Sequence, residues 1–434
     1  MEGFWCRLRS LLTQSRSVSS SVLAVLLIYS FSSQFLPIEP YLVPYLTSVK
    51  HFTNFQVTVD IYPCSIYAQL IFTLVMAPAC FYLSYKLVIV LGAFALLITY
   101  LIIWGGQSLL SMQIMQITYG FGMAARLVFS SYIFLLVPEE EYQIMTSLTT
   151  TTSLLSFMLA SELSQLLAIE KASYATFFIL SLISLGICCA VTILLPKDCS
   201  SSPLYPSLTA FWSQDEGWLR ILKETWDGKN IQILSLWWAL AYAGFSLVQN
   251  YGTSLFDAID SKSNLNGHIL AVSQAAGSLG SLGAVYLELF AIKSGMFIYV
   301  LGSALMAIVC ACMGFSMKIW VAYLMYVMIS GIYQTLACLV SVRCSRLLSN
   351  RQFILLFSVN NFAGLLVETL LQAALEILGL SVSAQFISFA GFFFLTTAIF
   401  AVCCFIGNGD GDGGSKIVSL ASEGETEPLI SESL

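Results

Sequence analysis

Twelve apolar runs, each near the roughly 20 residues that cross a bilayer as a helix, follow one another along this chain of 434 residues. They cover 18–36, 61–83, 87–104, 109–137, 146–169 and 174–195, then 231–251, 266–292, 296–317, 320–342, 353–378 and 382–406. Such runs leave little choice of fold. In hydrocarbon every backbone N–H and C=O must find its partner inside the protein, so segments of this length become helices packed side by side. Composition agrees, with 58 % hydrophobic and 10 % charged residues against about 25 % charged in soluble domains. The first run lacks a small-residue cleavage site and leads directly into the second, so it reads as a span and not as a signal peptide. The expectation is an all-α membrane protein with twelve transmembrane helices.

Order along the chain divides these spans. A polar, Pro- and Ser-containing connection at 196–230 separates six from six, which resembles the 6+6 pattern of major-facilitator-type transporters, whose halves rock about a midplane site. The expected parts are an N-terminal segment at 1–17, a six-helix bundle at 18–195, the linker at 196–230, a second bundle at 231–406 and a tail at 407–434. Charge gives the orientation. With both termini cytoplasmic, Arg7, Arg9, Arg16, Lys86, Lys197, Arg220, Lys223, Lys229, Lys293, Arg343, Arg346, Arg351 and Lys416 face inward. Only Lys50, Lys171, Lys262 and Lys318 face outward, as the positive-inside rule requires. In the linker, Phe211, Trp212, Trp218, Leu219, Ile221, Leu222 and Trp226 recur at roughly helical spacing. They predict a short helix lying either on the cytoplasmic leaflet or packed under the bundles. The tail is Gly/Asp-rich, then acidic, and is expected to be disordered.

Several chemistries are excluded. No basic stripe interleaved with aromatics points to nucleic acid. No Walker A loop or GxGxxG fingerprint appears, and His51 and His268 have no metal-ligand spacing around them. The twelve cysteines lie mostly inside apolar runs and form no CxxC pair. Neither an enzyme nor a resident cofactor or metal is expected, which leaves secondary transport.

Charges inside the spans are then the candidates. Arg126 is a lone guanidinium in the run 109–137, where a permanent charge costs roughly 2.5–3.5 kcal/mol on the lenient insertion scale. It reads as part of a substrate or ion pathway, or as a structural ion pair between helices. Pro37, Pro40 and Pro44 cannot continue a regular helix, so they free backbone carbonyls at membrane depth. Glu39 sits inside that broken element. Glu368, midway along 353–378, could bridge to Arg126 between the two halves. The hydroxyl-rich run from Thr146 to Ser153 reads as helix packing before cavity lining.

At these residues the chain resembles the reduced folate carrier and thiamine transporter family, a branch of the major facilitator superfamily. Pro37, Glu39, Tyr41, Pro44, Tyr45 and Leu46 match the first-span motif. Met123 through Phe134, containing Arg126, Phe129 and Tyr132, resemble the fourth-span motif of the folate branch, whereas thiamine transporters carry a glutamate where Arg126 is. Further matches are Ser235-Leu236-Trp237-Trp238, Asn266-Gly267 and Tyr333-Gln334, and the similarity covers about 20–405. Departures bear on the ligand. The folate branch places an arginine and a lysine where Ser330 and Glu368 align here. The thiamine branch places an acid at Leu270 and an aromatic at Ser65. The resemblance implies a folate-like carrier in the plasma membrane, moving a small organic anion or zwitterion by alternating access. Arg126, Glu39, Phe129, Tyr132, Glu368 and Ser330 are its candidate substrate-binding residues. Thiamine or a thiamine phosphate is the alternative ligand, and a receptor or regulatory paralogue without transport is the alternative class. Beyond the vitamin and the lipid bilayer, one partner is expected: Glu425, Leu429 and Ile430 fit an acidic dileucine signal for a sorting adaptor.

Overall fold

Where the first apolar run ends, the backbone has to break, and the break positions much of what surrounds it. The computed structural model describes residues 20–53, 55–196, 217–260, 265–348 and 352–407. In it the first span is a helix, α1 (Ser20–Ser32), that stops before the prolines. The chain turns, forms a single 3-10 turn at Glu39–Tyr41 around Pro40, and resumes as the short helix α2 (Leu42–Ser48), with Pro44 in its first turn. A proline is tolerated there because the first N–H groups of a helix have no intrahelical acceptor. Three carbonyls at the end of α1 accept from hydroxyls of two neighbours, that of Phe31 in addition to the Gln34 and Phe35 N–H groups. Ser153 donates to the Ser30 carbonyl at 3.3 Å, Ser156 to Phe31 at 2.6 Å and Ser184 to Ser32 at 2.9 Å. Among the described residues the twelve expected spans are therefore eleven long apolar helices and this broken first one.

A π-helical stretch, Gln56–Ile61, leads into α3 (Tyr62–Leu83), with the Tyr62 N–H reaching back to the Val57 carbonyl. Then come α4 (Tyr85–Gly105), α5 (Leu109–Leu136), α6 (Tyr142–Ile169) and α7 (Tyr174–Leu194). Ser108 and Ser111 cap the start of α5 reciprocally. After the short α8 (Gly217–Thr225) follow α9 (Lys229–Ile259), α10 (Asn266–Ser294), α11 (Phe297–Phe315), α12 (Ile319–Leu347), α13 (Phe353–Ile377) and α14 (Val382–Gly407).

Helices α1, α3–α5 and α7 pack mainly among themselves, as do α9–α14, and the two groups meet chiefly through α6, which lies more on α10 than on its own group, and through α3 on α13. Lipid gives helices no hydrophobic reason to associate, so close backbone approach at small residues has to supply contact. Gly280 of α10 lies against the Gly331 carbonyl of α12, and Gly120 of α5 lies against the Ser65–Gln69 backbone of α3. At the α6–α10 contact, Thr151 Oγ1 and Ser281 Oγ are 2.5 Å apart. One end of the junction between the groups is filled with rings: Phe134 lies 5.6 Å from both Phe353 and Phe357, and Trp238 stands edge-on to Phe357 at 4.8 Å. Toward the other end of α6, Glu162 meets His268 of α10 at 3.1 Å.

The expected linker helix is α8, whose apolar positions touch the helical core. Ile221, Leu222 and Trp226 lie on the helical core, and the Trp226 indole donates to Ser235 Oγ at 3.0 Å. The remaining linker positions Phe211 and Trp212, the N-terminal segment and the tail with Glu425, Leu429 and Ile430 lie outside the described residues.

Candidate functional site

Residue size along α5 decides which way its charge points. Gly120, Gly122, Ala124 and Ala125 are buried, with Gly122 against Leu96, Ala125 against Gly92 and Gly120 against α3. With small residues seating α5 on α3 and α4, the residues at 126, 129, 130 and 133 share another face, by their i, i+3, i+4, i+7 spacing. That face borders a cavity of about 360 Å³, counting its open mouth. Tyr29, Ser30 and Ser33 close it from the end of α1, and Thr149, Thr150 and Ser153 close it from α6.

Arg126 is half-buried in this cavity. Its Nη1 lies 3.6 Å from the Met123 thioether, and among the described residues no carboxylate forms an ion pair with it. The expected bridge to Glu368 is absent. Glu368 faces α9 instead, its Oε1 accepting from Ser246 Oγ at 2.7 Å and Asn250 Nδ2 at 2.9 Å. Glu39 is turned inward onto α4 and α5, where its Oε1 accepts from Tyr100 at 3.1 Å and Tyr119 at 3.4 Å. It is an electrostatic neighbour of Arg126 but does not border the cavity.

The other predicted positions divide in the same way. Phe129 borders the cavity, its ring 4.0 Å from that of Tyr29. Tyr132 does not. Six residues beyond Arg126 it lies about 240° further round the helix, fully buried, and its hydroxyl donates to the Pro196 carbonyl at 2.6 Å. Ser330 is likewise buried in the seam between α12 and α10, facing Gly277, away from the cavity lining. Its place among the site candidates comes from alignment with an arginine of the folate branch, and a serine there packs into the seam instead.

Three tyrosines and part of a hydroxyl run complete the polar region. Tyr29, Tyr100 and Tyr119 carry no marking in their apolar surroundings. The run from Thr146 to Ser153 was visible but read as packing; Thr151 does pack, onto α10, while Thr149, Thr150 and Ser153 line the cavity. The motif residues of the second group also resolve into helix contacts. Trp237 donates to Ser303 at 2.9 Å, and Tyr333 stacks on Phe245 at 3.9 Å. Among the described residues no three His, Cys, Asp or Glu side chains are grouped to hold a metal. The arrangement can hold an anionic group on a fixed guanidinium and an aromatic ring beside Tyr29 and Phe129, with hydroxyls around both.

Comparison with known proteins places this architecture. The family model described as reduced folate carrier matches residues 19–215 and 207–388. Folate transporter 1 of Caenorhabditis elegans is 29 % identical over 411 residues, covering 87 % of this chain and 90 % of its own. Thiamine transporter 2 of Homo sapiens is 26 % identical over 447 residues, covering 88 % and 90 %. Among solved structures, the human organic anion transporter MFSD10 superposes with a TM-score of 0.65 at 15 % identity, over 87 % of this chain and 97 % of that one. The E. coli fucose:proton symporter FucP does so with 0.62 at 14 %, over 88 % and 96 %. At such identities the likeness shows the fold alone, and that fold is the one of major facilitator transporters.

Proposed function

This chain belongs to the reduced folate carrier family, and on that premise we propose that it is a secondary transporter of a folate-like vitamin or related small organic anion or zwitterion, working by alternating access. It is a carrier and not an enzyme. The observation that supports this reading most is the guanidinium of Arg126, which borders a cavity and forms no ion pair with a carboxylate among the described residues. A half-buried guanidinium whose nearest acid, Glu39, is held by two phenols keeps its donors free, and an anionic solute would take them up in a bidentate contact. The packed pair of Phe129 and Tyr29 would border its ring on one side, and Glu39, held by two phenols, would set the polarity of the path beside it. Ser330 and Tyr132 belong to the packing in this proposal, and Glu368 stands where the folate branch has a lysine. Anchoring therefore falls on Arg126 alone, which suits a ligand with a single strong anionic group.

Thiamine phosphate is the second reading. Thiamine-transporter relatives match this chain about as well as folate ones do, and a phosphate would pair with Arg126 where bare thiamine would be repelled. In either case the moving bodies are the bundles at 18–195 and 231–406, joined by the linker at 196–230. Charge bias along the chain supports cytoplasmic termini and a cytoplasmic position for the ring-filled end, and the family resemblance supports a plasma-membrane location. The tail signal at Glu425, Leu429 and Ile430 would then face sorting adaptors.

The test is a thermal-shift panel of folates, thiamine and thiamine phosphates on purified protein, followed by uptake into proteoliposomes. Stabilisation and saturable uptake by one class identify the substrate. A protein that is stabilised by a vitamin yet moves none of them would be the receptor-like paralogue. No stabilisation and no uptake with any member would overturn the vitamin reading.

A further inference from the structure

The two oxygens of Glu368 are in different circumstances. The residue keeps 8 % of its surface exposed, on the side of α13 that meets α9. Oε1 has both its donors, Ser246 and Asn250. Oε2 has no hydrogen-bond partner among the described residues and almost no accessible surface. No cationic side chain among the described residues forms an ion pair with either oxygen. The titratable groups that feel its charge are phenols: Tyr242 and Tyr251 of α9 and Tyr333 of α12. Helices α3 and α5 also pack on α13 but bring it no cation, and Arg126 of α5 acts on Glu39 instead.

An ionised carboxylate there would carry a full charge with one oxygen bare in a dry interior. Buried acids in that position escape the cost by binding a proton. A hydroxyl without an acceptor costs far less than an ionised oxygen in the same place, and Oε1 keeps its two donors either way. Oε2 is enclosed, so no water-sized group touches it in this conformation. Glu368 is also placed to sense motion. It links α9 to α13, and α13 in turn packs on α3 and α5 of the other helix group.

We propose that Glu368 is the proton-binding site of this carrier, loaded from one aqueous side and unloaded to the other as the halves move, so that the anion on Arg126 and the proton on Glu368 cross together. The inference rests on the transport reading for its second half only. Loading forms one O–H bond on the carboxylate with a proton from solvent, unloading breaks it, and nothing is oxidised or reduced.

Two measurements separate the proton site from transport. The first is infrared difference spectroscopy of the purified protein across the neutral pH range, with no ligand present. The wild type should show a protonated-carboxyl C=O stretch that titrates, Glu39→Gln should keep it, and Glu368→Gln should lose it with the melting curve confirming a folded protein. A band that survives in Glu368→Gln overturns the proton site. The second uses proteoliposomes and two probes, radiolabelled folate and radiolabelled thiamine monophosphate. An inward proton gradient should raise wild-type uptake of the transported probe several-fold, and the ratio with and without gradient should fall to one in Glu368→Gln. Gradient stimulation that persists in the variant overturns coupling through this residue. Wild-type liposomes that move neither probe overturn the transport reading, while the infrared band still decides the proton site.

Discussion

At the scale of single residues the proposed function rests on Arg126, which has no ion-pair partner among the described residues. Arg126→Ala should lower uptake roughly tenfold to a hundredfold, the equivalent of about 1.5–3 kcal/mol for a hydrogen bond to a charged group. Arg126→Lys should fall nearly as far, because an ammonium lacks the planar fork that grips an anion twice. Uptake normalised to surface expression checks both, and near-normal uptake by the alanine variant would remove Arg126 from the mechanism. The residue was visible in the sequence because a guanidinium within an apolar run is rare and expensive. Phe129 could be read beside it, one helical turn on. Tyr132 and Ser330 were harder. The fourth-span motif groups Tyr132 with the site and alignment with a folate-branch arginine groups Ser330 with it, but helical phase turns Tyr132 to the Pro196 carbonyl, and Ser330 faces Gly277. The partners of Glu39 had no sequence signal, because Tyr100 and Tyr119 come near it only through the packing of α4 and α5 on the broken first span.

Helices are the level at which the sequence spoke most plainly. Run lengths anticipated the spans, and three prolines anticipated the break after α1. The serines that stop the break from being costly belong to α6 and α7, and neither α6 nor α7 is marked as a partner of α1 by its own sequence. Seams between helices are similarly silent, since a glycine that admits a neighbouring backbone looks like one that faces lipid. The structure separates them on α10. A methyl group on Gly280 would run into the Gly331 carbonyl, whereas one on Gly283 would meet nothing within 4 Å. Gly280→Ala should therefore destabilise the protein by about 1–3 kcal/mol, the usual cost of overpacking. Gly283→Ala should be neutral or slightly stabilising, given its better helix propensity, worth up to about 1 kcal/mol. Melting curves in detergent distinguish the pair, and equal effects would mean that α10 and α12 are not in this register.

For the molecule as a whole, the points where the two helix groups touch are the points that must separate if it rocks. Glu162 and His268 join α6 to α10 toward one end. With both replaced by cysteine, a bifunctional thiol reagent should arrest uptake and a reducible version should restore it on cleavage. Uptake that continues through the cross-link would show that this contact stays closed during the cycle. Location is a separate matter from turnover. Leu429→Ala with Ile430→Ala should shift the protein between plasma membrane and endosomal or basolateral pools with transport per molecule unchanged, as read by surface labelling in polarised cells. An unaltered distribution would leave the tail without a sorting role. At the ring-filled end, Trp238 stands against Phe357, and that placement makes the protein its own optical probe. Parting of α13 from α5 would let water reach the indole, so its emission should move to longer wavelength when that end opens. The component missing from Trp238→Phe would isolate its signal from the other seven tryptophans, and stopped-flow mixing would then time the opening in unlabelled protein.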